Sequence, residues 1–407
     1  VSGEVLALTG GRGEKKQSKT LNRASNVLRQ PGSAFKVISS FAPAIDLYGA
    51  TLASTYYDSE YTVGKKTFKN WYSGGYLGFQ SIRDGIVYSL NIVAVRCLME
   101  TVKPERGYQY AESLGITSLV KDDENAALAL GGLTRGVSNL ELTQAYGVIA
   151  NGGKLQKAKF FSKIIDQNGK VLIDTTEDEA TQVMKESTAY LLTDAMRESM
   201  ESKRAFASDV RVSSTSTRAH FDGMSQAGKS GTTSNNRDIW FVGFTPYYLA
   251  GVWGGCDENQ VLKDAGSGEY NGGTGFHKDI WRKIMAKIHE GKADIGFEKP
   301  DSIVEEKVCR KSGLLPTSGC YNDYRGSAVI TELFAKGTVP TEKCDYHTSW
   351  GAMLVPENLR DLDTDDHYYR YQPEETEEEG GDEEENLSNG RVIISEQGPG
   401  IKKGPSN

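Results

Sequence analysis

Residues 29–36 read Arg29-Gln30-Pro31-Gly32-Ser33-Ala34-Phe35-Lys36. Pro31-Gly32 is a turn signal, and the pattern becomes helical at Ser33. Phe35, Ile38, Ala42 and Ile45 fall on one stripe, which Gly49 closes. Pro43 lies inside that stripe and predicts a kink or an early end. Three residues apart on a helix, Ser33 and Lys36 share a face. Ser33 would stand at the helix start, where free backbone N–H groups point outward. A serine is a weak nucleophile until a base takes its proton. A desolvated lysine near other cations loses its proton well below the usual pKa of about 10.4. The pair can therefore supply nucleophile and base together, although a lone Ser-x-x-Lys reads more simply as an ordinary helix start.

Upstream, Val5-Leu6-Ala7-Leu8 reads as a buried strand ending at Gly10-Gly11. Downstream, Asn139 to Ala150 is a helix stopped by Asn151-Gly152-Gly153. Phe160 to Ile173 is a hairpin around Asn168-Gly169, and Glu186 to Met200 is an amphipathic helix. The period then becomes two. Lys229 to Thr232, Asp238 to Phe244 and Tyr248 to Trp253 read as adjacent antiparallel strands, with Thr245-Pro246 in the last turn. Phe276 to His289 is a helix suited to cover that sheet. Helices with a late antiparallel sheet predict an α+β fold. Asp301 to Trp350 is short of periodic structure. Beyond Leu354 the composition is polar and acidic, too poor in apolar area to offset its ordering entropy, and predicts disorder. The expected division is a body over 1–303, a small cysteine-containing extension over 304–353 and an acidic tail over 354–407.

Two further motifs follow the first. Ser89-Leu90-Asn91 comes after the apolar Ile86-Val87-Tyr88; by itself it is a polar cap or turn. Lys229-Ser230-Gly231-Thr232 offers a charge and hydroxyls suited to a carboxylate, and Gly231 would let a strand edge lie close to a substrate backbone. The run from Gly223 through Gly228, Lys229 and Ser230 also matches the phosphate-loop spacing. Such a loop follows a buried strand and opens a helix, whereas Ser213 to Asp222 is polar and Thr232 to Asn236 leads into a strand, so the nucleotide reading is disfavoured.

Together, in this order, the three motifs are far more specific than any one, and they are those of class A β-lactamases and penicillin-binding proteins. Residues 29–36 and Gly3-Glu4-Val5-Leu6-Ala7-Leu8-Thr9-Gly10-Gly11 resemble the nucleophile region of class A penicillin-binding proteins. Arg83 with Ser89-Leu90-Asn91-Ile92-Val93-Ala94-Val95 resembles the second-motif helix. Ala129-Leu130-Gly131-Gly132, leading to Gly136-Val137-Ser138, fits as well, and Asp238 to Pro246 resembles the strand after the third motif. The similarity runs from Val1 to Trp350. Leu90 stands where class A β-lactamases carry Asp, and no Glu-x-x-Leu-Asn segment supplies a deacylating glutamate, which favours a penicillin-binding protein.

The resemblance implies the penicillin-binding/β-lactamase-like transpeptidase fold and an acyl-serine reaction on D-Ala-D-Ala stem peptides of peptidoglycan. Ser33 would be the nucleophile, Lys36 the base and Ser89 the proton shuttle. Asn91 would bond the substrate amide or Lys36, while Lys229, Ser230, Gly231 and Thr232 would hold the terminal carboxylate. Amides of Ser33 and Thr232 would form the oxyanion hole, and β-lactams would leave Ser33 acylated. It also implies a glycosyltransferase domain and membrane anchor before Val1 and a place on the extracytoplasmic face of the cell membrane. Rival readings are a carboxypeptidase or β-lactamase, a β-lactam sensor, and an interaction protein with a dead site; the intact motifs argue against the last.

The net charge of −8 is uneven. Between Pro356 and Glu385 stand fourteen acidic and two basic residues, a local −12, so the remainder carries +4. A near-neutral body with no basic stripe gives no case for nucleic acid. No stretch approaches the roughly 18 apolar residues that cross a bilayer, no leader peptide precedes Val5, and the chain reads as a fragment of a longer protein. No cofactor is called for. Of five cysteines, Cys97 and Cys256 are expected to be reduced and buried. Cys309, Cys320, Cys344 and His347 leave three options open: a Cys309–Cys320 disulfide, free thiols, or a zinc site.

Overall fold

The computed structural model describes residues 2–347, apart from 15, 177–178, 202, 208–209, 263–274 and 324–325, together with 368–371 and 392–395. Its first long helical segment begins as a 3₁₀ turn at Gly32–Ala34, passes through a π turn at Val37–Phe41 and ends as α-helix at Ala42–Leu47. The π turn is where Pro43 acts. With no N–H and a ring that would strike the carbonyl four residues back, proline is tolerated because the turn widens before it. The helix therefore neither ends at Pro43 nor breaks there.

Helices α1 (Ile82–Val87) and α2 (Asn91–Arg96) flank Ser89, which adopts φ +56°. Ser81 caps α1 with a reciprocal capping box to Asp84. The same device, Ser138 with Glu141, starts α3 (Asn139–Ala150). Helix α4 covers Glu186–Glu198. The sheet consists of β1 (Ala227–Thr232), β2 (Asp238–Phe244) and β3 (Leu249–Gly255), antiparallel in that order, and α5 (Phe276–Ile288) lies on one face. Every residue of β2 is buried, because both of its faces are covered. Trp240, Val242 and Phe244 enter the main core with Phe35, Phe41, Ile86 and Tyr146. Phe241 points the other way, to Trp281 and Met285 of α5. Helix α3 joins the layers: Asn139 donates to the Gly251 carbonyl (3.0 Å) and the Tyr146 hydroxyl to the Ala34 carbonyl (2.6 Å). The fold is α+β, with an antiparallel sheet covered by helices, as expected.

Several local expectations are corrected. Val5–Leu8 is extended but not buried; it holds one bridge, Glu4 to Lys159, and Leu6 is 75% exposed because no second strand covers it. Cys256 is half-buried at the end of β3, whereas Cys97 is fully buried; no disulfide joins any of the five cysteines. The stretch 301–347 does contain regular structure: β4 (Ile303–Cys309) pairs along its whole length with β5 (Val329–Ala335). Its period was hidden because Glu305, Glu306 and Lys307 are exposed in succession, so apolar and polar residues do not alternate. This unit leans on α1 and α4: Arg83 pairs with Glu332 (2.6 Å), Asp194 and Glu198 (2.8 Å each). In the segment read as a disordered tail, Tyr368–Tyr371 pairs with Val392–Ser395, two short runs of strand formers that the bulk composition conceals. The rest of the acidic tail lies outside the described residues.

Candidate active site

Ser33 sits on the 3₁₀ turn and is half-buried between the buried Gly32 and Ala34. The edge of β1 runs directly against this turn. A Cβ on Gly231 would lie 2.2 Å from the Pro31 carbonyl, and one on Gly32 would lie 3.0 Å from the Thr232 amide and closer still to its carbonyl. Only glycine at both positions permits that approach. The loop before Ser33 is fixed from two sides. The Gln30 side chain bonds both the amide and the carbonyl of Leu133, and the Trp240 indole donates to the Gln30 carbonyl (2.7 Å).

Beneath the turn, Lys36 is fully buried. Its Nζ donates to the Ser89 carbonyl (2.5 Å) and to Asn91 Oδ1 (2.7 Å), and lies 3.3 Å from Ser89 Oγ. Asn91 is itself oriented, with Nδ2 donating to the Lys69 carbonyl (2.8 Å), so its oxygen faces Lys36. Lys229, also fully buried, donates to Ser89 Oγ (2.8 Å) and to the Ser230 carbonyl (3.1 Å). Ser89 thus stands between two buried lysines. Burial, and then the charge of Lys229, pushes the Lys36 pKa well below its ordinary value, against a small opposing pull from Asp58. Burial and the charge of Lys278 bring Lys229 down to about 7. Lys278 is in turn lowered to about 8 by burial and by Arg218.

Ser33, Lys36, Ser89, Asn91, Lys229 and Gly231 are therefore gathered at one place. Of the remaining third-motif residues, Ser230 is buried opposite Phe241, and Thr232 is exposed at the strand end beside Gly32. The phosphate-loop alternative fails: residues 227–232 are a β-strand followed by a single 3₁₀ turn at Ser234–Asn236 and then β2, with no α-helix for a phosphate to rest on. Sequence reasoning missed Lys278, Asn70 and Asp58. Asn70 Oδ1 accepts from the Asn91 amide (2.8 Å), and Asp58 accepts from Asn70 (2.6 Å) and Tyr72 (2.9 Å). None lies in a motif, and only the fold brings them near Lys36.

This constellation on this fold is that of a penicillin-binding transpeptidase. Residues 1–253 match the penicillin binding protein transpeptidase domain, and the chain belongs to that family. Residues 299–349 match the C-terminal domain of penicillin-binding protein 1A. Among curated relatives, penicillin-binding protein 1A of Clostridium botulinum is 34% identical over 362 residues, covering 85% of this chain and 41% of the relative. The chain thus spans about two fifths of the relatives it matches. Among solved structures, penicillin-binding protein 1A from Haemophilus influenzae superposes with a TM-score of 0.65 at 26% identity, covering 81% of this chain and 51% of that one. The PonA1 protein of Mycobacterium tuberculosis in complex with penicillin V superposes with a TM-score of 0.57 at 25% identity, covering 70% and 75%.

Proposed function

We propose that the chain is a peptidoglycan DD-transpeptidase that works through acyl-Ser33. The observation that carries this reading is the pair of buried lysines bracketing Ser89 beneath the Ser33 turn. A neutral Lys36 spends its two N–H groups on the Ser89 carbonyl and Asn91 Oδ1, the two shortest contacts, and keeps a lone pair for the Ser33 proton. Ser33 Oγ then attacks the penultimate D-Ala carbonyl. The oxyanion forms against the amides of Ser33 and Thr232, which the glycine-to-glycine contact holds as neighbours. Ser89, bonded to Lys229, passes the proton to the leaving D-Ala amine. The amine of a second stem peptide takes the acyl group, regenerating Ser33. Lys229 provides the charge, and Thr232 the exposed hydroxyl, for the terminal carboxylate, with Ser230 and Gly231 completing the strand edge; an arriving carboxylate also favours the protonated form of Lys229. The penicillin V complex of a relative supports β-lactams as substrate mimics.

By the same reading the whole protein carries a glycosyltransferase and a membrane anchor and acts on the extracytoplasmic face. The division into body (1–303), extension (304–353) and acidic tail (354–407) belongs to this proposal too. The test is labelling with a penicillin and mapping the adduct by peptide mass. Label on Ser33, lost in Ser33→Ala, supports the reading; label elsewhere overturns it. Acyl transfer to an added amine acceptor separates transpeptidase from carboxypeptidase and from a non-turnover sensor.

A further inference from the structure

The unit that follows the transpeptidase body has almost no apolar core. Val308 and Phe334 pack on Ala53 of the body, and the other buried cluster is Cys309, Cys320, Cys344 and Ala328. A unit this small needs a staple, and the cysteines are arranged as one. Cys309 ends β4, Cys320 lies in the short helix α6 (Ser318–Tyr321), and Cys344 and His347 follow β5. All four are buried, and their ligand atoms lie within 4.8 Å of one another. His347 Nδ1 is 3.2 Å from Cys309 Sγ and 3.6 Å from Cys344 Sγ. With Zn–S of about 2.3 Å and Zn–N of about 2.0–2.1 Å, the edges of a Cys₃His tetrahedron are about 3.5–3.8 Å.

We infer that Cys309, Cys320, Cys344 and His347 bind a structural zinc ion. Around the four ligand atoms the protein provides the outer partners such a site uses. His347 Nε2 meets the buried carboxylate of Asp323 at 2.6 Å, which keeps the ring proton on that nitrogen and turns the Nδ1 lone pair toward the sulfurs. The Lys311 amide donates to Cys309 Sγ (3.4 Å) and the Thr317 amide to Cys320 Sγ (3.3 Å), stabilising thiolate charge. Gly319 lets α6 reach the ligand loop: a Cβ there would lie 2.5 Å from the His347 carbonyl. A Cys309–Cys320 disulfide would consume two sulfurs and leave Cys344 and the Asp-anchored His347 converging on nothing. Four protein ligands leave no open position, so the ion is structural. On binding, the three thiols release three protons and the zinc–ligand set carries a net charge of −1. Tyr346, between Cys344 and His347, stacks edge-on against Phe79, so the site also ties the extension to the strand Gly78–Ser81 that leads into α1.

The experiment uses the full chain, untagged, loaded with excess zinc, gel-filtered and analysed for metal. About one zinc per chain is expected, falling at least tenfold in Cys344→Ser. Alkylation of the native protein should label Cys256 alone; a chelator without reductant should then release Cys309, Cys320 and Cys344, mapped by peptide mass. Asp323→Asn should weaken zinc roughly 10–100-fold in competition with a chromogenic chelator. Zinc below about a tenth of an equivalent overturns the site: free thiols would then label in denaturant without chelator or reductant, and a disulfide would label there only after reduction. The wild-type metal content decides the matter even if the variants fail to fold.

Discussion

Replacing Lys229 with methionine should make the protein more stable near neutral pH while destroying its reactivity. The reason is the cost of holding an amine in a fully buried site within reach of the Lys278 charge. The Lys229 pKa falls from 10.5 to about 7. At about 1.4 kcal/mol per pH unit, that depression amounts to roughly 4–5 kcal/mol of lost stability when the unfolded chain holds a proton the native state releases or keeps at a cost. The sign follows from the direction. Below about 7 both states are protonated and the full penalty applies; between about 7 and 10.5 the unfolded state alone holds the proton, so stability climbs with pH; above 10.5 the penalty is gone. Methionine matches the length of the lysine stem but forfeits the bonds to Ser89 Oγ and the Ser230 carbonyl, each worth about 0.5–1.5 kcal/mol. The expected net is a variant roughly 2 kcal/mol more stable than wild type at pH 7, losing that advantage by about 1.4 kcal/mol per pH unit and reaching parity near pH 8.5. Urea unfolding of both proteins at pH 7, 8 and 9, followed by tryptophan fluorescence, measures it, since Trp240 and Trp253 report from the sheet. A stability difference that stays flat across that range would show that Lys229 has no depressed pKa and would sink the reasoning. The same variant should acylate with penicillin at least 100-fold more slowly, stability and reactivity moving in opposite directions.

Other expectations are more direct. Lys36→Arg keeps a cation that cannot release its proton, so penicillin acylation, timed by stopped flow, should slow by at least 10²-fold; a near wild-type rate would mean that Lys36 acts only as a charge. Gly231→Ala places a methyl group 2.2 Å from the Pro31 carbonyl, a backbone atom that cannot swing away. Acylation should drop more than about tenfold with the circular dichroism unchanged, because the strand edge must retreat from Ser33. Arg83→Met leaves the buried Glu332 without its partner and should cost about 3–5 kcal/mol in urea unfolding; a loss under about 1 kcal/mol would show that Asp194 and Glu198 tolerate the carboxylate unaided.

Much of the fold was legible because its elements advertise themselves locally. Ser138 with Glu141 marks the start of α3, Asn168-Gly169 marks a hairpin that forms between Lys163–Ile165 and Val171–Asp174, and the strand limits of β2 coincide with the predicted Asp238–Phe244. Where neighbours overrule local pattern, the reading slipped. Pro43 is absorbed by a π turn because the helix around it is fully buried and held by packing. The β4–β5 pair escaped notice because its exposed Glu305-Glu306-Lys307 breaks the alternation on which strand recognition depends.

The order Ser33-x-x-Lys36, Ser89-x-Asn91, Lys229-Ser230-Gly231-Thr232 was enough to name the chemistry, since each motif is a short run whose internal geometry follows from helix or strand periodicity. What the motifs mean to one another was decided in three dimensions. Lys36 and Lys229 are 193 positions apart in sequence, and only the packing of β1 against the Ser33 turn drives both amines into one dry site, where burial and the charge of Lys229 lower the pKa of Lys36. For Cys309, Cys320, Cys344 and His347 the uneven spacing left disulfide, free thiols and zinc all open. The turn after β4, α6 and the loop after β5 bring their atoms within 4.8 Å, and a buried carboxylate, Asp323, orients the ring. Local sequence carries periodicity and turn chemistry; desolvation and convergence belong to the tertiary structure, because both depend on which distant segments exclude water from the same place.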